Sequence, residues 1–171
     1  MIFVTVGTHE QPFNRLLKKM DQLVENGTIQ EQVIIQAGYS TYNPKKCNCS
    51  QFLTYQQMWD YVREARIVIT HGGPSSFIMP LQIGKIPIVV PRQAKYDEHV
   101  NNHQFDFANQ VAERKQNIIV VDEIDELGKD IQQYERIVSN MSDEIVNNNE
   151  RFNENLVHIV NSMLESTRKS K

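Results

Sequence analysis

Three short stretches of this sequence gather groups able to hold an anion or a polyol. In "HGGPSS", His71, Gly72, Gly73, Ser75 and Ser76 supply an imidazole, two positions without a side chain, and two hydroxyls. Pro74 among them suits the first turn of a helix. The free N–H groups and positive dipole end of such a helix favour phosphate. In "GTHEQPF", residues 7–13, Gly7 lets the backbone approach a ligand, while Thr8 and His9 offer donors. In "YDEHVNNHQFDFA", residues 96–108, Glu98, His99, Asn101, Asn102, His103 and Gln104 crowd acceptors and donors into one helical entry. Carboxylates and amides so gathered suit several hydrogen bonds to sugar hydroxyls.

Other chemistries fit less well. Neither glycine loop is G-x-G-x-x-G or contains G-K-[ST], which weakens dinucleotide oxidoreductase and nucleoside-triphosphatase readings. Ser75 and Ser76 do not sit in the G-x-S-x-G of a hydrolase. His99 and His103 stand four apart, but no Glu follows His99 as in H-E-x-x-H, so no metal is expected. No cofactor is expected either. Taken singly, Gly7 could be a turn, His71 a hydrogen-bonded core histidine, and Ser75 an N-cap.

The elements that must position these stretches are legible as periodicity. "IFVTV" (2–6), "QVIIQAG" (32–38), "RIVIT" (66–70), "IPIVV" (86–90) and "NIIVV" (117–121) are short, nearly continuous apolar runs rich in β-branched residues. Such runs predict parallel strands covered on both faces. Between them, Phe13, Leu16, Leu17, Met20, Leu23 and Val24 form one helix face, opened by Pro12 and closed by Asn26-Gly27. Met58, Tyr61, Val62 and Ala65 predict a second helix, Phe77, Leu81 and Ile83 a third stopped by Gly84, and residues 100–113 a fourth. Strand and helix alternate, so the expected fold is α/β, a single Rossmann-like, doubly wound parallel sheet over residues 1–140. From Asp143 onward, Ile145, Phe152, Leu156, Ile159 and Met163 recur as one face of an amphipathic C-terminal helix. Residues 141–171 are thus read as a helix and tail, a candidate partner-docking element.

With 171 residues, one core is expected. A net charge of −3, with Lys and Arg scattered, argues against a nucleic-acid partner. No apolar stretch approaches the ~20 residues of a membrane span and no signal sequence opens the chain, so a cytoplasmic location is expected. Cys47 and Cys49 lack the further ligands of a zinc site and are read as reduced thiols in a loop.

Taken together, the stretch "HGGPSSFIMPLQIGKIPIVVPRQAKYDEHVNNHQFDFA" (71–108) and the opening "FVTVGT" (3–8) resemble the nucleotide-sugar signature of GT-B glycosyltransferases. The likeness is to their C-terminal half, as in the MurG transferase of peptidoglycan synthesis. It is closer to the small catalytic subunit of the two-part UDP-N-acetylglucosamine transferase of dolichol-linked oligosaccharide assembly. Closest of all are bacterial capsule and exopolysaccharide proteins of this size, which act with a membrane-associated partner and commonly transfer galactose. It covers roughly residues 1–115.

The resemblance implies an inverting, metal-independent transfer of a hexose from a UDP-sugar donor, with galactose expected and N-acetylglucosamine the alternative, to a lipid-diphosphate-linked sugar acceptor held by a separate subunit at the inner membrane face. It implies that Gly7 and Thr8 approach the diphosphate, that His71, Gly72, Gly73, Ser75 and Ser76 hold diphosphate and nucleotide, and that Glu98 and His99 hold the sugar, with Asn102 nearby. His9 is a candidate base, alongside one on the partner. One departure stands out: where the family carries an acidic residue for the ribose, this chain has Met79. A two-domain epimerase and a non-catalytic UDP-sugar-binding subunit remain alternatives; the former would need a second domain.

Overall fold

In the computed structural model, residues 1–141 are described. Each apolar run becomes a strand: β1 (Ile2–Thr5), β2 (Val33–Gln36), β4 (Ile67–His71), β5 (Ile88–Val90) and β6 (Ile119–Val120). A further strand, β3 (Asn48–Ser50), has all three residues exposed and carries Cys49. The expectation that both cysteines lie in a loop is corrected here, because Cys49 sits on the sheet edge; both thiols are free. An exposed three-residue edge strand has no apolar face to announce it.

The six strands are all parallel, in the order β3-β2-β1-β4-β5-β6. Helices α1 (Asn14–Glu25), α2 (Tyr55–Glu64), α3 (Pro74–Leu81) and α4 (His103–Lys115) fall between strands, and α5 (Leu127–Gln132) follows β6. No helix links β2 to β3. That passage is held instead by Asp21 of α1, whose carboxylate accepts from Tyr42 Oη (2.7 Å) and from the amides of Lys45 (2.9 Å) and Lys46 (2.6 Å).

Alternation along the strands sends side chains to two covered faces, which is why the runs read as unbroken apolarity. Ile2, Val4, Ile67, Ile69, Ile88 and Val90 pack against Leu16, Leu17 and Met20 of α1 and Leu127 and Ile131 of α5. On the opposite face Phe3 and Val68 meet Val62 of α2, and Val89 meets Phe77 of α3 and Ala108 of α4. Helix α1 stops where Gly27 takes φ +77 and donates to Val24 O (3.2 Å). The predicted C-terminal helix from Asp143, and with it the 141–171 docking element, lies outside the described residues. Among the described residues no helix is long and apolar enough to cross a membrane.

Candidate functional site

The sheet's direction of winding reverses between β1 and β4, and a parallel sheet opens a crevice at the carboxyl ends of such a pair. Register pairs Thr5, the last residue of β1, with Thr70, one before the end of β4, so the two loops leave side by side. Between those loops lies a cleft of ≈ 670 Å³ lined by Thr5, Gly7, Thr8, His9, Gln36, His71, Ser75, Ser76 and Met79, with an apolar wall of Phe52, Leu53, Tyr55 and Met58.

His71 ends β4 and is 8% exposed. Its ring is wedged between two glycines. A Cβ on Gly7 would lie 2.7 Å from Nε2, and one on Gly73 would run into the same nitrogen. Gly7 also needs its positive φ of +74, and beneath it a Cβ on Gly38 would strike the Gly7 carbonyl. Side chains at the ends of β1 and β2 fix that peptide. Thr5 Oγ1 donates to Gln36 Oε1 (2.6 Å), Gly7 N donates to Thr5 Oγ1 (3.3 Å), and Gln36 Nε2 donates to Gly7 O (3.1 Å).

Burial, aided by the charge of Arg92, pushes the His71 imidazole down to about 4, so the ring is neutral at pH 7. A neutral imidazole offers one N–H and one acceptor. Its Nε2 lies 3.5 Å from Ser76 Oγ. Helix α3 begins at Pro74 after an extended Gly73, and its N-terminal residues Ser75 and Ser76 face the cleft with Met79. Met79 lies four and three positions after the two serines, so their hydroxyls share a face with its thioether.

The 96–108 stretch is bound to the 7–13 stretch from behind. Arg92, directly after β5 and Pro91, is 0% exposed. Its Nη1 donates to Gln11 O (2.7 Å) and Glu98 O (3.1 Å), and its Nη2 to Val6 O (2.9 Å). Arg15 of α1 donates from Nε and Nη2 to the two oxygens of Glu98 (2.8 and 2.9 Å), and from Nη2 to Pro91 O (3.1 Å). Gln93 N adds a bond to Glu98 Oε2 (3.2 Å). This bracing brings His9 and His99 into a stack, with centroids 4.6 Å apart and planes 21° from parallel. Burial, and then the neighbouring His9, lower the His99 value. His9 Nε2 is 2.9 Å from Gln11 Oε1.

The structure therefore gathers Gly7, Thr8, His9, His71, Ser75 and Ser76 around one cleft, with Gly73 backing His71 and His99 stacked on His9. Three expected residues are placed differently. Glu98 is 3% exposed, with its carboxylate turned to Arg15 and Gln93 rather than free at the rim. Gly72 lies under α4, where a Cβ would stand 2.9 Å from Gln104. With His99, His103 and Phe107 it lines a separate apolar hollow of ≈ 320 Å³. Asn102 is exposed, and its Oδ1 accepts from Ala94 N (2.9 Å), leaving its amide N–H groups.

Sequence reasoning missed Arg92, Arg15, Thr5, Gln36 and the aromatic wall. A charged residue directly after a buried strand and a proline was the available signal for Arg92. Among the described residues no group of three His, Cys, Asp or Glu side chains is placed to hold a metal ion.

A glycosyltransferase family 28 C-terminal domain model matches residues 1–159. The mouse (Mus musculus) UDP-N-acetylglucosamine transferase subunit ALG13 is 33% identical over 121 residues, 64% of this chain and 10% of that protein. Two solved structures share the fold. The kitacinnamycin glycotransferase has a TM-score of 0.52 at 15% identity, over 84% of this chain and 38% of that one. The glycosyltransferase SnogD from Streptomyces nogalater has 0.54 at 13%, over 85% and 39%. The chain thus spans about a tenth of the curated relative and under two fifths of either enzyme.

Proposed function

This chain belongs to the glycosyltransferase family 28 C-terminal domain family, and on that premise we propose that it is the donor-binding half of a UDP-sugar-dependent transferase. The observation that carries this reading is the cleft between β1 and β4. There a neutral His71, the Gly7 backbone and the first turn of α3 converge where a diphosphate could dock. Phe52, Leu53, Tyr55 and Met58 form an apolar wall suited to a nucleobase. With Met79 unable to bind ribose hydroxyls as a carboxylate would, Ser75 and Ser76 on the same helix face offer hydroxyls in its place.

The donor sugar lies toward the His9–His99 rim. The likeness to a mouse UDP-N-acetylglucosamine transferase subunit supports N-acetylglucosamine over galactose as that sugar. Transfer would invert the anomeric carbon in a single displacement. The acceptor hydroxyl oxygen bonds to that carbon as the bond to the phosphoryl oxygen breaks, and UDP departs. His71, backbone amides and the α3 terminus would stabilise the negative charge appearing on UDP, with no metal required. The hydroxyl proton passes to His9 or to a base on a partner. The acceptor, a lipid-diphosphate-linked sugar, would be held by a membrane-associated subunit. That subunit would also keep this chain at the cytoplasmic membrane face.

Titration with UDP, UDP-N-acetylglucosamine and UDP-galactose tests donor binding. His71→Ala should weaken UDP by roughly tenfold, the worth of one charge-assisted hydrogen bond. Unchanged affinity in that variant would move the diphosphate elsewhere. Turnover with the partner and a lipid-diphosphate sugar then separates a catalytic subunit from a non-catalytic one. In the latter case, turnover survives His9→Ala and His71→Ala alike.

A further inference from the structure

Behind the cleft, two guanidinium groups lie beside a single carboxylate, and only one of them is bonded to it. Arg15, 13% exposed, takes both oxygens of Glu98, which is 3% exposed. Arg92, fully buried, reaches Glu98 only through its backbone carbonyl; its other partners are the carbonyls of Val6 and Gln11. Among the described residues Glu98 is the one carboxylate bonded to either arginine, so the buried cluster keeps one positive charge without a counter-ion. Arg15 Nη1 and Arg92 Nε are both buried with no hydrogen-bond partner.

Burying such a charge is costly, and an apolar side chain over Phe13, whose ring lies 4.8 Å from the Arg92 guanidinium, would fill the space without that cost. The position of the charge explains why it is kept. Arg92 Nη2 holds Val6 O, the carbonyl that leads directly into Gly7, and Gly7 lies against the His71 ring. The cation therefore stands one peptide layer behind the place where phosphoryl oxygens would meet Gly7 and His71. A buried charge acts there through little intervening water, so its pull on an anion is weakly screened.

We infer that Arg92 is an electrostatic positioning residue for the diphosphate, supplying through the protein the positive charge that a metal ion would supply in the cleft. The inference rests on the donor-site reading, and it differs from simple bracing because it predicts opposite signs for two substitutions.

The test is calorimetric titration of the full chain with UDP and with uridine, which carries the same nucleoside and no charge. Arg92→Met should weaken UDP by about tenfold and leave uridine unchanged, the size expected of a unit charge about 10 Å away at an effective dielectric near 20. Arg92→Lys should restore most of the UDP affinity. Glu98→Gln keeps an oxygen for Arg15 but removes the negative charge, and it should tighten UDP several-fold with uridine again unchanged. UDP has no hexose, so any sugar contact of Glu98 does not enter the measurement.

Equal losses for UDP and uridine in Arg92→Met, or weaker UDP binding in Glu98→Gln, would overturn the charge role and leave only a brace. If Arg92→Met does not fold, the sign of the Glu98→Gln effect decides alone. Wild-type protein that binds neither compound overturns the donor-site reading first, and this inference with it.

Discussion

Two arginine–carboxylate clusters sit at opposite ends of the same sheet. At the carboxyl ends of the strands, Arg15 forks onto a 3%-exposed Glu98, with Arg92 buried behind. At the amino ends, Arg66 forks onto Glu31, which also binds the Met1 amino group (3.0 Å), and reaches Glu135 (3.2 Å). Arg66 is 42% exposed and Glu135 72%. The bonding is alike and the surroundings are not. Near water, solvation and ions compensate a lost partner; in the interior nothing does. One cluster decorates the fold and the other holds the loops after β1 and β5 against each other. A ≈ 410 Å³ hollow beside Arg66 is accordingly a poor anion site, because that guanidinium is already occupied by Glu31 and Glu135.

The contrast can be broken most directly by Glu98→Ala, which strands the Arg15 guanidinium beside Arg92. A loss of about 3–5 kcal/mol in chemical denaturation is expected; a loss as small as that of a surface pair would erase the distinction. A second test sharpens it through pH. His71 is held at about 4 against an ordinary 6.5, so the unfolded chain binds the extra proton between those values and stability falls as pH drops through that window. The effect is of order 3 kcal/mol. In His71→Gln the stability–pH curve should flatten between pH 6.5 and 4, with no matching change in variants at the amino end.

Asp21 lies between the extremes. Burial would raise its carboxyl, but hydrogen bonds from Lys45, Tyr42 and Lys46 outweigh that and hold it below the usual value of 3.8. Its contribution is present above that value and fades as pH falls through the lowered one. Asp21→Asn should cost about 1–3 kcal/mol and speed proteolysis within residues 39–47. Smallest of all, Glu31→Gln should change stability by under about 1 kcal/mol, and 1 M salt should abolish the difference.

The sheet was readable from sequence because strands buried on both faces leave continuous apolar runs. Helix α1 was readable because Leu16, Leu17, Met20 and Leu23 repeat at helical spacing. Strand β3 was not, since its exposed Asn48, Cys49 and Ser50 are held by pairing with β2 alone. Helix α4 was expected from residue 100 and starts at His103, after a turn in which Asp97 takes φ +57, a conformation hard to assign to an aspartate from local sequence. In the site, residues whose value lies in small size or hydroxyls, such as Gly7, Gly73, Ser75 and Ser76, could be nominated from type and spacing. Glu98 carried the same surface signature as a sugar ligand, and only the fold reveals Arg15 on its carboxylate, 83 residues away in sequence. Arg92 was passed over for the converse reason, because charge alone suggests solvent, and only its place directly after a buried strand and a proline pointed the other way.

Gly38 does not line the cleft, yet it sets the floor on which the cleft rests. One methyl group there would press upward on the peptide of residue 7 and, through it, tilt the imidazole that closes β4. Tolerance to substitution in this protein therefore does not decline smoothly with distance from the cleft. Variant libraries confined to cleft-lining positions would pass over a place where a single added carbon reshapes the mouth of the crevice.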